Sequence, residues 1–273
     1  MDMGRVKGFT IIEVTLFLAI TGAIAIVMVV GFSSQIAAQR YYDSVNEFKS
    51  KLDNIYNGVN NIQNFFDNNM VTCDSYANIQ LKEDRSAPDR GMSDCIILGS
   101  YVWMDGSNPD TFRKRIVVGY KSPSDRRQEY LTSIETDEQD LKSYRLNIIS
   151  GSYMKNVGGT VQSVTTADES KLFWGSYPNN TPFSILVLRA GNSGNIRTYV
   201  SNNIVNFDGT TVDAELKDMI KPENQKELNF CIMPSGYSGY RGAKTALRLN
   251  AHASGSGAVQ YLNTEQSNNV GCR

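Results

Sequence analysis

The feature that most constrains this chain is a long apolar run near its amino terminus. From Phe9 to Phe32 there are 24 residues, and Glu13 is the one charged side chain among them. The next charge comes at Arg40. As a helix this run would be about 36 Å long, which is enough to cross a hydrocarbon layer of about 30 Å with some tilt. We therefore expect a membrane-spanning helix that carries a single carboxylate.

The charges on either side of the run predict its orientation. Arg5 and Lys7 precede it, whereas the segment from Ser33 to Gln39 carries no positive charge. By the positive-inside rule, the first residues stay cytoplasmic and the rest of the chain is exported. A secretory signal peptide would place its cleavage site after the apolar core. Here a short basic leader comes first and ends at Gly8, so cleavage there would leave the apolar helix on the mature protein.

The stretch KGFTIIEVTLFLAITG resembles the class III signal of type IV pilins and pseudopilins. In that family a prepilin peptidase cuts between a glycine and a phenylalanine and then methylates the new amino terminus. The resemblance implies cleavage between Gly8 and Phe9, N-methylation of Phe9 and an assembly role for Glu13. Gly22 matches a glycine common in that helix, whereas Val30 stands where many major pilins have a helix-kinking proline. The motif covers about 30 of the 273 residues.

The chemistry of Glu13 favours the same interpretation. A charged carboxylate at the centre of a membrane helix costs about 2.5 to 3.5 kcal/mol, so it needs a partner or a shallow position. Cleavage would create an amine on Phe9, at a helix end that already carries a partial positive charge. A neighbouring helix, displaced along an assembly axis, would present that amine to Glu13 and so fix subunit register. The alternative is that Glu13 only favours the helix amino terminus in a monomeric anchor.

Beyond Phe32 the chain turns polar but keeps a regular apolar seam. Its members recur at alternating intervals of three and four residues, which is the spacing of one helix face. No proline interrupts the chain from Phe9 to Asp67, so the pattern predicts one helix over that range. Such a seam is typical of an independent coiled coil or of packing against a sheet of the same chain. We favour the second, because the downstream strands need a cover and the pilin resemblance implies it. The seam residues are Ala38, Tyr41, Val45, Phe48, Leu52, Ile55, Val59, Ile62 and Phe66.

After Asn69 the pattern changes to short β-rich runs broken by turns. FSILVLRAGNSGNIRTYVS and AKTALRLNAHASGSGAVQYLN both predict hairpins, because two β-prone runs flank a turn rich in glycine and asparagine or serine. A charged stretch is predicted to contain a short helix from Thr132 to Ser143. The candidate strands are Cys95 to Trp103, Arg115 to Tyr120, Arg145 to Ile149, Gly159 to Val164, Phe183 to Arg189, Ile196 to Ser201, Leu228 to Met233, Ala243 to Leu249 and Ala258 to Leu262.

Together these patterns predict an α+β fold, in which a long amino-terminal helix packs on a mainly antiparallel β-sheet head. The first half of the helix spans the membrane, and the second half is amphipathic. The expected parts are a leader over 1–8, a transmembrane and assembly helix over 9–32, its amphipathic continuation over 33–67, and an exported head over 68–273.

Four cysteines, all in the predicted head, are read as two disulfides. An even number of cysteines in an exported domain suggests disulfides, and proximity favours Cys73 with Cys95 and Cys231 with Cys272. Three pairings exist for four cysteines, and four reduced core thiols are the alternative, because free cysteine is readily buried. The wide spacing and the single histidine, His252, argue against a zinc site.

The sequence does not match the motifs for catalysis or cofactor binding that we compared with it. GYSGYRGAKT lacks the spacing of a phosphate-binding loop, although Tyr237, Tyr240 and Arg241 in it are candidates for surface ligand contact by stacking. An ordinary turn is the alternative there. His252 has no partner for a catalytic triad, and we expect it at a surface or turn. FDGTTVD, with Asp208 and Asp213, does not follow a calcium-loop pattern.

These observations predict a structural subunit rather than an enzyme, without metal or cofactor. The expected partners are other pilin subunits through the amino-terminal helix, the prepilin peptidase, the assembly platform and the membrane. A net charge of −1 gives no support for nucleic acid as a partner, and a host surface has no support either. We expect the protein to lie in the cytoplasmic membrane before assembly and in a pilus or at the cell surface afterwards. The filament would serve adhesion, motility, DNA uptake or secretion. Large size for a filament subunit favours a minor pilin. The rival hypothesis is a monomeric, membrane-anchored binding domain or enzyme with an uncleaved amino terminus.

Overall fold

The structure is a computed structural model that describes residues 10–60, 65–66, 69–73, 79–82, 95–104, 112–122, 136–149, 155–156, 171–174, 183–207, 211–233, 245–252 and 257–270. Its α-helices are α1 (Ile11–Asn60), α2 (Asp137–Ser143), α3 (Val212–Met219) and α4 (Thr264–Asn269). Its strands are β1 (Phe65–Phe66), β2 (Asn69–Cys73), β3 (Ile79–Lys82), β4 (Cys95–Met104), β5 (Phe112–Tyr120), β6 (Arg145–Ile148), β7 (Lys155–Asn156), β8 (Lys171–Trp174), β9 (Phe183–Arg189), β10 (Ile196–Ser201), β11 (Leu228–Met233), β12 (Thr245–Leu249) and β13 (Val259–Leu262).

The described strands form three sheets in which every pairing is antiparallel. The main sheet has the order β10-β9-β4-β5-β6, with β7 beside β5; the second has the order β13-β12-β11-β8; and the small third sheet has the order β1-β2-β3. The predicted α+β class with an apolar amino-terminal helix and antiparallel pairing is confirmed at this level. The single sheet of the prediction is replaced by three.

Both predicted hairpins are present. Strands β9 and β10 pair from Ile196 opposite Arg189 to Ser201 opposite Ser184, and β12 pairs with β13 from Ala246 opposite Leu262 to Leu249 opposite Val259. In the first hairpin the turn requires Gly194, whose φ of 72° lies in the left-handed region that glycine adopts readily.

The carboxyl-terminal half of α1 packs on two sheets. Along this half an apolar face is buried against β4, β9 and β10 of the main sheet and against β11, β12 and β13 of the second sheet. Phe48 is fully buried, and its ring meets that of Phe230 edge to face, with 5.5 Å between ring centres. One backbone hydrogen bond, from Thr198 N–H to the Ala251 carbonyl, joins the edge of the main sheet to the segment after β12. The buried residues of α1 are Tyr41, Val45, Phe48, Leu52, Ile55, Tyr56 and Val59.

The main sheet is covered on its other face by α2 and α3. Neighbouring residues of β9 point to opposite faces: Ile185 and Val187 pack with α1, whereas Leu186 and Leu188 pack with Leu141 of α2 and the apolar side of α3. The sheet is therefore the middle of three layers. Asp213 of α3 accepts a hydrogen bond of 2.7 Å from Leu146 N–H, so α3 also covers the outer edge of β6.

Helix α1 ends earlier than its apolar pattern predicts. The pattern extends to Asp67, but the described helix reaches Asn60, and Phe65 and Phe66 are strand residues paired with Met70 and Asn69. The Arg189 guanidinium from β9 donates a hydrogen bond of 2.9 Å to the Asn60 carbonyl. A cation at this end offsets the negative end of the helix dipole. The spacing of apolar residues could not show this contact, because it comes from a strand more than a hundred residues away.

Several boundaries differ from the prediction. Helix α2 begins at Asp137 rather than Thr132, because the Thr136 hydroxyl accepts a hydrogen bond from Gln139 N–H and caps it there. The segment 123–135 and the predicted strand from Gly159 to Val164 lie outside the described residues. Strands β4 to β6 and β9 to β13 match the predicted ones to within three residues at each end. The short strands β1, β2, β3, β7 and β8 were not predicted.

A disulfide between Cys73 and Cys95 ties the small third sheet to the first residue of β4, with the two Cα atoms 5.3 Å apart. Cys95 is buried in a small apolar cluster with Ile97, Val118 and Ile149. Cys231 is also disulfide-bonded. Its predicted partner, Cys272, lies outside the described residues.

Candidate membrane and assembly surface

The amino-terminal half of α1 contrasts with the other half because its described side chains from Ile11 to Val29 are all exposed. The segment from Ile11 to Val29 is long and apolar enough to cross a membrane, and no residue in it is buried. Apolar side chains are exposed on all sides of this segment, from Ile11, which is 84% exposed, to Val29, which is 69% exposed. A helix that is apolar all round is suited to lipid or to other apolar helices.

The polar hydroxyls in this segment are satisfied within the helix itself. The Thr15 hydroxyl donates to the Ile12 carbonyl at 3.0 Å, and the Thr21 hydroxyl donates to the Phe17 carbonyl at 2.9 Å. A hydroxyl that donates to its own helix adds no unsatisfied polar group to an apolar surrounding. These two threonines therefore do not prevent membrane insertion.

Glu13 and Thr10 form a capping box at the start of α1. The Thr10 N–H donates to Glu13 Oε2 at 3.0 Å, and the Glu13 N–H donates to the Thr10 hydroxyl oxygen at 3.3 Å. The Thr10 hydroxyl also contacts Glu13 Oε2 at 3.1 Å. These reciprocal bonds satisfy amide groups that the first helical turn leaves open. The pattern threonine, two residues, glutamate before an apolar run indicates a capping box, and the sequence reasoning missed it although the signal was present.

Tyr41 marks where α1 enters the head. Its side chain is fully buried, and its hydroxyl donates to the Ile232 carbonyl at 2.6 Å and accepts from Thr245 N–H at 2.8 Å. Ile232 and Thr245 are partners at the end of the β11–β12 ladder, so one side chain joins the helix to both strands. Burial raises the pKa of the Tyr41 hydroxyl, which keeps it protonated and able to donate.

The residues that carry the predicted leader and ligand contacts are not among those described. Gly8 and Phe9 lie outside the described residues, as do Tyr237, Tyr240 and Arg241. Strand β11 ends at Met233 and strand β12 begins at Thr245. Both residues lie at the end of the second sheet that contacts Tyr41. Their predicted roles stay predictions.

His252 is exposed and makes polar contacts at the surface. Its Nδ1 lies 2.9 Å from Arg197 Nη1 and 2.9 Å from Gln225 Nε2. Because the guanidinium can only donate, His252 Nδ1 accepts in the contact with Arg197. Asp213 bonds to Leu146 N–H and to Lys217, and Asp208 lies outside the described residues. Within the described part of the chain, no group of three or more acidic, histidine or cysteine side chains is arranged to hold a metal ion.

Comparison with known proteins adds nothing to these observations. No family model, no curated protein and no solved structure matches the chain.

Proposed function

We propose that this chain is a type IV pilin-like structural subunit, more specifically a minor pilin or pseudopilin. It is held in the cytoplasmic membrane through the exposed half of α1, processed after Gly8 and assembled into a surface filament. The observation that carries the proposal is the division of one continuous helix. The half from Ile11 to Val29 has no buried residue and is apolar on every side, whereas the half from Tyr41 to Val59 buries one apolar face in the head.

The proposed assembly step uses the charge of Glu13. Removal of the leader places a new amine on Phe9, and an assembled neighbour presents that amine to the carboxylate. The capping box ends on one carboxylate oxygen, Oε2. A carboxylate has two oxygens and accepts several hydrogen bonds, so the cap and an intermolecular pair are compatible. In a bundle of apolar helices such a pair fixes the register of subunits.

Leader removal is tested by coexpressing the full chain with a prepilin peptidase and measuring the intact mass. We expect a loss of the eight residues before Phe9 together with one added methyl group. A Gly8→Val chain serves as the matched control and should stay at full length. An unprocessed wild-type chain under conditions that process a known prepilin would refute the proposal and favour the monomeric anchor.

The role of Glu13 is tested with two variants that separate charge from capping. Glu13→Gln removes the charge, but glutamine also forms capping boxes. Thr10→Val removes the capping hydroxyl and keeps the charge. We expect Glu13→Gln to insert in the membrane and assemble poorly, with Thr10→Val assembling better than Glu13→Gln. The opposite order would show that Glu13 acts as a cap.

The choice of a minor rather than a major subunit is tested by abundance. Filaments sheared from cells that express all the pilins of the system are separated, and this chain is quantified against the other subunits. We expect it to be a small fraction of the total. Dominance of this chain in the filament would overturn that choice while leaving the pilin-like function in place.

A further inference from the structure

A buried pair of opposite charges lies on the side of the main sheet that faces away from α1. Lys121 directly follows β5, and Asp140 belongs to α2. Their side chains are 5% and 1% exposed, and Lys121 Nζ lies 3.7 Å from Asp140 Oδ1. The lysine nitrogen also lies 4.7 Å from the centre of the Tyr144 ring. The amine and the carboxyl group are therefore held close together away from water.

The second oxygen of Asp140 is held by the turn of the β9–β10 hairpin. The Asn192 N–H donates to Asp140 Oδ2 at 3.1 Å. The turn reaches this position because residue 191 is glycine: a Cβ atom there would lie 2.3 Å from the Tyr144 hydroxyl oxygen. One carboxyl oxygen thus points to a backbone donor, and the other points to the lysine.

The positions of the Lys121 amine and the Asp140 carboxyl group are compatible with condensation to an amide as well as with an ion pair. Burying an ammonium and a carboxylate is costly unless their mutual geometry is excellent, and 3.7 Å is longer than the 2.7–2.9 Å of a good charge-assisted hydrogen bond. An amide between the two groups would remove both charges from the interior. A backbone N–H at Oδ2 is also placed to stabilise negative charge on that oxygen when the carboxyl carbon becomes tetrahedral.

We propose that Lys121 and Asp140 are joined in the folded protein by an intramolecular isopeptide bond. The lysine ammonium transfers a proton to Oδ1, and the resulting amine attacks the carboxyl carbon. A bond forms between Nζ and Cγ, the bond between Cγ and Oδ1 breaks, and Oδ1 leaves as water with two protons from the former ammonium group. No oxidant, reductant or other reactant is needed. The bond links the end of β5 to α2 and does not depend on the proposed filament assembly.

The test is the intact mass of the full chain, purified in detergent and fully reduced so that disulfides do not contribute. We expect the chain to be lighter than its sequence by the mass of one water. Trypsin should then release the peptide IVVGYKSPSDR, uncut after Lys121, covalently joined to QEYLTSIETDEQDLK. A wild-type chain at its full sequence mass would overturn the proposal. Because the wild-type chain is measured, this test does not depend on the folding of any variant.

Two variants test whether the missing mass of one water comes from Lys121 and Asp140. Lys121→Arg keeps a cation but supplies no primary amine, and Asp140→Ala removes the carboxyl group. Both chains should have their full sequence mass. Loss of water that persists in either variant would place the reaction elsewhere and overturn the assignment.

Discussion

The two halves of α1 are built from apolar residues for different reasons. In the amino-terminal half, apolar side chains surround the helix, and Phe17 is 67% exposed. In the carboxyl-terminal half they follow one face, and Phe48 is completely buried. The first half therefore leaves its apolar surface for an environment outside the chain, whereas the second half uses it to build the core of the head.

One helix therefore contributes to two separate processes, the folding of the head and insertion into an apolar environment. Burial of the seam contributes to the free energy of folding of the head. The exposed half contributes nothing to that core, because the described contacts of the segment Ile11 to Val29 include no covering element. Substitutions in the two halves should therefore change different measured quantities.

The largest expected effect separates the halves directly. Phe48→Ala should lower the free energy of unfolding of the head by about 3–5 kcal/mol, because it opens a cavity against Phe230. The matched control, Phe17→Ala, should change it by less than about 0.5 kcal/mol. Denaturant unfolding in detergent, followed by tryptophan fluorescence, measures both. Equal effects would contradict the division of the helix.

A somewhat smaller effect is expected for the disulfide, which lies apart from α1. Replacing Cys73 and Cys95 together by serine should lower the free energy of unfolding by about 2–4 kcal/mol, since the bond closes a loop between residues 22 positions apart. Membrane insertion should not change, because the exposed half of α1 does not depend on this bond. Loss of insertion in the double variant would argue against two independent parts.

The junction between the halves is tested at Tyr41. Tyr41→Phe keeps the ring but removes a hydroxyl that serves Ile232 and Thr245, so we expect a loss of about 1–3 kcal/mol. Tyr42→Phe is the matched control, because Tyr42 is 51% exposed. If both variants unfold at the same denaturant concentration, the hydroxyl of Tyr41 does not hold the helix to the strands.

The smallest effect concerns pH and the surface of the head. Burial alone would raise the pKa of Asp137, but hydrogen bonds from Ser193, Arg197 and Asn195 and the charge of Arg197 lower the pKa overall. A lowered pKa in the folded state adds stability that is present above the unfolded value of about 3.9 and is lost as the pH falls through the folded value.

Asp137→Asn should therefore cost about 0.5 kcal/mol at pH 7, which is typical of a partly exposed ion pair. It should also flatten the dependence of stability on pH below about pH 4. Thermal unfolding from pH 2 to pH 7, compared with the wild type, measures this. A variant with the same acid dependence as the wild type would show that Asp137 does not contribute.

Sequence patterns predicted the elements that depend on local chemistry. The helical spacing from Tyr41 to Val59, the hairpin turn with Gly194 and most longer strands were predictable because their residues lie close together in the chain. The capping box of Thr10 and Glu13 was predictable for the same reason, although it was not recognised.

Features that depend on distant residues were not predictable in this way. Arg189 contacts the Asn60 carbonyl, and Asp140 lies between Lys121 and the Asn192 N–H of the hairpin turn. The division into three sheets also depends on which distant strands pair. The short strands β7 and β8 were missed because two to four residues carry too little pattern to distinguish a strand from a turn.

The continuity of α1 has a mechanical consequence. The helix runs unbroken from Ile11 to Asn60, so it is a rod of about 75 Å. If its first half is held fast, a pull on the head acts parallel to the buried seam rather than across it. The seam contacts would then be loaded in shear and would share the force, instead of being peeled apart one after another. Such a head would remain bound to α1 under tension until its hydrophobic core unfolded.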